Sequence, residues 1–211
     1  MRQLVRLKRL GMLSGAALLL IVSGAPVQAA KWFVDNALGE VKAEEKAVPS
    51  KAQPVQLLFE FQRDAGPNPK ATKLTKPWAT DYLKQTGAFS EIVETPTANG
   101  AVLSIKFNNI VKKEEIKAAK GDAFKAGMGF GLFGGVVATD YYEVTMEYLP
   151  GAGAAPISTV VKHQIHMKYG KKDVQIPGTE VKNITIAVQT AMRQALARGV
   201  NNIAADPRFP K

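Results

Sequence analysis

Period-two alternation of apolar and polar residues recurs along this chain. Val55, Leu57, Phe59 and Phe61 alternate with Gln56, Glu60 and Gln62; Leu103, Ile105 and Phe107 alternate with Ser104, Lys106 and Asn108. Tyr142, Val144, Met146 and Tyr148 alternate with Glu143, Thr145 and Glu147, and Val161, His163, Ile165 and Met167 with Lys162, Gln164 and His166. Such alternation buries one face of a strand and leaves the other in water. Phe89, Ile92 and Val93 add a short return strand. The turn Pro150 to Pro156 joins two of these runs as an antiparallel hairpin, and a symmetric register sets Glu147 opposite Lys162, Thr145 opposite Gln164 and Glu143 opposite His166, worth about 0.2 to 1 kcal/mol per pair.

Two segments read as helices. Thr75 is placed to cap a helix through Trp78, Tyr82 and Leu83, with Pro77 tolerated in its first turn and Gly87 closing it in a left-handed conformation. After Gly178-Thr179-Glu180, apolar positions Val181, Ile184, Val188, Ala191, Ala195 and Leu196 repeat at helical spacing through about Ala204, although the β-branched density from Val181 to Val188 also suits a short strand at the start. Residues 30–53 combine an apolar start, Trp32 to Val34, with a charged, proline-containing stretch, and read as an extended lead-in. The expectation is an α+β fold: a two-layer sandwich of a mostly antiparallel sheet of about five strands with two helices on one face. One domain spans 54–211, interrupted by an insert at 112–139.

That insert is too long for an ordinary hairpin connection. Its second part, Ala126 to Ala138 (AGMGFGLFGGVVA), carries no charge. A helix of that length reaches roughly 20 Å against about 30 Å of hydrocarbon, so it does not span a bilayer. Gly129 to Gly134 formally matches GxGxxG, but a Lys-rich stretch precedes it and a strand follows, the wrong context for a dinucleotide site. Two readings remain. Met128, Phe130, Leu132, Phe133, Val136 and Val137 fold back over an open sheet face, or they form a contact element in which Gly127, Gly131 and Gly135, four apart, let another helix or a lipid surface approach closely. Those six side chains offer on the order of 10 kcal/mol of burial as an upper bound.

The start of the chain changes how its charge is understood. Arg2, Arg6, Lys8 and Arg9 precede an uncharged run from Leu10 to Ala25, and Val27-Gln28-Ala29 supplies small residues at −3 and −1, the layout of a secretory signal peptide over 1–29. Retention of that segment as an anchor is the alternative. The chain has 28 basic and 18 acidic residues, a formal net charge of +10; four of the basic residues lie in this segment, leaving 24 against 18. The remaining surplus is mostly scattered lysine, without the aromatic-interleaved basic stripe of a nucleic-acid binder. A solvated surface, or attraction to anionic lipid at about 1 kcal/mol per well-placed Lys, accounts for it. With no cysteine among its 211 residues, the chain excludes disulfides, thiolate catalysis and Cys-ligated metals.

Candidate chemistry is sparse. His163 and His166, three apart on a strand, point to opposite faces and do not share one metal, which makes His163 a core residue. The chain carries neither a GxSxG elbow nor an HExxH helix. Glu143 and Glu147 share a face but read as cross-strand partners of cations. No catalytic residue, metal ligand or cofactor is therefore assigned, and the expectation is a protein that is not an enzyme.

The element order, carried by "LLFEFQ", "LKQTGAFSEIVE", "NGAVLSIKFNNI" and "YYEVTMEYL" over roughly residues 54–204, resembles small bacterial envelope proteins and lipoproteins. Its β-α-β-β-β-α layout is similar to that of the curli secretion lipoprotein and penicillin-binding-protein activator families. The resemblance implies an accessory or assembly role; the absent lipobox cysteine departs from the lipoprotein members. The expectation is a non-enzymatic periplasmic or outer-membrane-associated accessory protein that contacts an envelope protein or membrane surface through its insert. The alternative is a periplasmic small-ligand carrier with a cleft near Tyr141 and Tyr169.

Overall fold

The computed structural model describes residues 30–47, 49–115, 136–151, 153–169 and 174–210, without the side chains of Val136 and Tyr169. Among the described residues, eight strands form one mixed sheet: β1 (Lys31–Asp35), β2 (Gln53–Arg63), β3 (Gly66–Pro67), β4 (Phe89–Val93), β5 (Val102–Ile110), β6 (Val136–Leu149), β7 (Ile157–Tyr169) and β8 (Gly178–Val181). Their order is β3-β2-β5-β6-β7-β1-β8, with β4 also paired to β2. Two α-helices, α1 (Pro69–Thr86) and α2 (Ile184–Ala205), and a 3-10 turn at Ala43–Glu45 complete the described elements.

This overturns the expected two-layer sandwich of about five mostly antiparallel strands. β2 pairs in parallel with β5 on one side and with β4 on the other, while β5, β6, β7, β1 and β8 run antiparallel in succession. The cause lies in α1. Its 18 residues carry the chain about 27 Å back along the sheet, so β4 starts at the same end as β2, and parallel pairing needs such a crossover. The lead-in supplies the second difference: Trp32 to Val34 pair with Met167 to Ile165, making β1 a sheet strand instead of an extended arm.

α1 begins earlier than Thr75. Asn68 caps it, its side chain accepting from the Ala71 amide at 3.1 Å, and Pro69 occupies the first turn, where a missing N–H costs nothing. Pro77 therefore sits inside the helix, and Thr75 is buried with its hydroxyl donating to the Ala71 carbonyl at 2.8 Å. Gly87 closes the helix at φ 72° as expected. At the other end of the chain, Gly178–Val181 forms β8 against β1, and α2 starts after the Asn183 cap.

The β6–β7 register differs from the symmetric one by four residues. Glu143 faces Lys162, Thr145 faces Val160, Glu147 faces Ser158 and His166 faces Thr139. Because the slip is even, every side chain keeps its face. Of the three pairs expected from symmetry, none forms; Lys162 instead reaches Glu143 at 3.6 Å.

One face of the sheet carries the core. Val55, Leu57, Leu103, Ile105, Phe107, Val144, Met146, Val161 and Ile165 are buried against Ala79 and Leu83 of α1 and Ala191, Met192, Leu196 and Val200 of α2. Phe89, Tyr148 and Phe209 stack at centroid distances of 5.0 to 6.1 Å and close one end. Side chains one position out of phase leave this core: Leu58 and Val160 are 49% and 53% exposed.

Candidate functional site

The open end of the sheet, where β5 stops and the insert departs, gathers one cluster of polar contacts. β6 outruns β5 there. Ile110 pairs with Tyr141, whereas Val136 to Asp140 pair with β7. The departing chain is pinned by the Val111 amide donating to Asp64 Oδ1 at 2.8 Å, and by Lys112, whose ammonium sits 3.6 Å from the Tyr141 ring centroid and 3.0 Å from Glu115. The Tyr141 hydroxyl donates to Glu115 Oε2 at 2.8 Å, which closes the triangle. The hydrogen bond to Glu115 raises the Lys112 pKa, and the same bond lowers that of Glu115.

Beside this base, on the sheet face opposite His163, lies a buried histidine. His166 Nε2 meets Asp35 Oδ2 at 3.0 Å, and its Nδ1 meets the Thr139 hydroxyl at 3.0 Å. A carboxylate only accepts, so Nε2 carries the proton and the hydroxyl donates to Nδ1 in the neutral ring. Asp35 Oδ1 also accepts from the Ala37 amide at 2.6 Å. On the core face of the same strands, burial raises the Asp140 pKa against the opposing pull of Arg63, and burial raises that of Tyr142 as well.

A second polar chain crosses the core face. His163 Nδ1 accepts from the Gln164 amide at 2.8 Å, which leaves Nε2 as the donor to Gln194 Oε1 at 2.6 Å. Gln194 Nε2 donates to Glu40 Oε1 at 2.7 Å, and Arg193 donates to Glu40 Oε2. Burial lowers the His163 pKa, opposed by the Gln194 hydrogen bond. Glu45 and Arg198 pair at 3.1 Å, and the Ala47 amide donates to Asn201 Oδ1 at 2.6 Å. Residues 36–47 thereby form a strap tied to α2 by polar contacts.

Of the residues singled out from sequence, Val136 and Val137 begin β6, where they pair with Tyr169 and Lys168. Gly127, Met128, Phe130, Gly131, Leu132, Phe133 and Gly135 lie outside the described residues, as does the 1–29 segment. Tyr141 stands at the base of the insert, and the His163 and His166 side chains lie on opposite faces. The Asp35–His166–Thr139 cluster and the Glu40 and Glu45 ties escape sequence reading because their partners are separated by 27 to 154 positions. The one available signal was a run of three acids, Glu40, Glu44 and Glu45, and two arginines, Arg193 and Arg198, in the last helix; the structure pairs Glu40 with Arg193 and Glu45 with Arg198. Among the described residues no group of three or more His, Asp or Glu is arranged to hold a metal ion, and no helix is long and apolar enough to cross a membrane.

No protein-family model and no curated protein matches the chain. Among solved structures it is similar to a PelC L103M dodecamer from Paraburkholderia phytofirmans, at 12% identity and a TM-score of 0.36, over 84% of this chain and 97% of that one. It is also similar to an uncharacterized protein, at 12% identity and a TM-score of 0.29, over 72% of this chain and 88% of that one.

Proposed function

We propose that this chain is a non-enzymatic accessory or assembly protein of the cell envelope, exported to the periplasm, whose insert at 112–139 engages a protein or a membrane surface. The observation that carries the reading is the construction of the insert's base. The Asp64, Lys112, Glu115 and Tyr141 contacts anchor the chain where the insert leaves β5, and β6, already paired with β7 from Val136, receives it where it returns; the sequence between them contains the uncharged thirteen-residue stretch Ala126 to Ala138. The described core is already closed by α1, α2 and the aromatic group at the far end. Burial of Phe130 and Phe133 against an outside surface supplies the favourable free energy, and the fixed base lowers the ordering cost of association.

The test is a Phe130→Ser, Phe133→Ser double variant. It is expected to fold with an unchanged circular dichroism spectrum and to lose co-fractionation with envelope membranes or their protein complexes. Fractionation identical to that of the parent overturns the proposal.

A further inference from the structure

A cavity of about 120 Å³ lies between the last turn of α1, the second half of α2 and the strap. Its volume is roughly four times the 30 Å³ share of one liquid water, enough for a single compact polar group. Tyr82 and Gln85 line it from α1, Arg193 and Asn201 from α2, and Glu40 and Lys46 from the strap.

The hydrogen-bond accounting at this cavity is one-sided. Glu40 is the only acid in the lining, and both its oxygens are engaged, Oε1 by Gln194 and Oε2 by Arg193. Asn201 gives its acceptor oxygen to the Ala47 amide, which leaves its NH₂ as a donor. The Tyr82 hydroxyl and the Lys46 ammonium have no partner among the described residues, and Arg193 commits one terminal nitrogen to Glu40 and keeps its other N–H groups. Arg193 also acts electrostatically on Tyr82, which places the guanidinium near the phenol. With Arg193 paired to Glu40, the charged side chains of the lining leave a net charge of +1, carried by Lys46, and the groups without a protein partner are mostly donors, the Gln85 amide offering one donor group and one acceptor. An oxyanion satisfies such a lining, through charge-assisted hydrogen bonds.

We propose that this cavity binds the oxyanion group, a phosphate or a carboxylate, of a small solute, with Lys46, Arg193, Tyr82 and Asn201 as its donors. The strap closes one side, so the ligand also ties residues 36–47 to both helices. This site is independent of the insert and of the function proposed for it.

The experiment titrates sodium phosphate, and separately sodium acetate, into the full chain at low ionic strength while amide NMR shifts are followed, with sodium chloride as the ionic-strength control. Saturable shifts of the Ala47, Tyr82 and Asn201 amides are expected, with a Kd of about 1 mM or tighter. Saturation by phosphate alone identifies a phosphate group, and saturation by acetate alone a carboxylate. Lys46→Ala is expected to weaken binding about tenfold and Tyr82→Phe about threefold, while Lys42→Ala, outside the cavity lining, leaves it unchanged. Neither salt saturating, shifts reproduced by chloride, or Lys46→Ala binding as tightly as the parent overturns the proposal.

Discussion

Replacing Gln194 by Met tests the polar chain that links the strap to the core. The change nearly conserves volume but removes both hydrogen-bonding groups of a residue that accepts from His163 and donates to Glu40. Its main cost is the stranded His163 Nε2–H, since Nδ1 is already occupied by the Gln164 amide and the ring is buried. A buried donor left without an acceptor costs about 1 to 3 kcal/mol; Glu40 keeps Arg193 and water, and adds little. At a few degrees per kcal/mol for a chain of this size, Tm falls by about 3 to 10 °C.

The pH dependence of the same variant gives a second, independent readout. Burial holds the His163 pKa below its ordinary 6.5, so the unfolded chain takes up the proton more readily than the folded one. The stability contribution of this group is therefore fully present above 6.5 and is lost as pH falls from there towards the depressed folded value, at about 1.4 kcal/mol per unit of depression. The Gln194 hydrogen bond raises the His163 pKa, so its removal depresses the folded value further and extends the acid loss to lower pH. Urea unfolding followed by the fluorescence of Trp32 and Trp78 at about pH 8 and about pH 5 measures both effects. A loss below about 0.5 kcal/mol at the higher pH, or a variant less acid-sensitive than the parent, refutes the reasoning.

Asp140→Asn is expected to raise stability at neutral pH by on the order of 1 kcal/mol, because burial raises the folded carboxyl pKa above its ordinary 3.8 and the ionised form is costly once pH exceeds that value; calorimetry showing a large loss contradicts this. Gly87→Ala places a side chain at φ 72° in the α1 cap and is expected to cost about 1 kcal/mol in chemical denaturation.

The sequence patterns carried the faces of the strands better than their partners. Tyr142 to Tyr148 and Val161 to Met167 are buried on the side their alternation assigns, yet symmetry about the 150–156 turn misplaced their register by four, because β6 runs to Leu149 and Tyr148 already faces Ile157. Side-chain alternation fixes a strand modulo two, and an even slip costs it nothing. Asn68-Pro69 carries the marks of a helix start as plainly as Thr75 does, but the Thr75 hydroxyl is spent inside the helix on the Ala71 carbonyl. The parallel pairing of β2 with β4 and β5 was not legible, because it depends on where an 18-residue helix returns the chain. The polar clusters were hidden for a related reason: Asp35 meets His166 only once β1 has docked on β7. Hydrogen bonds spanning the whole chain leave no local periodicity to read.

The proposed contact function requires an outside surface to receive Phe130 and Phe133. A photoreactive phenylalanine analogue at position 130, irradiated in intact cells, measures this directly. The expected result is a discrete adduct of the full-length chain with an envelope protein, or labelled lipid. Irradiation that yields only internal crosslinks to this chain's own sheet or helices contradicts it.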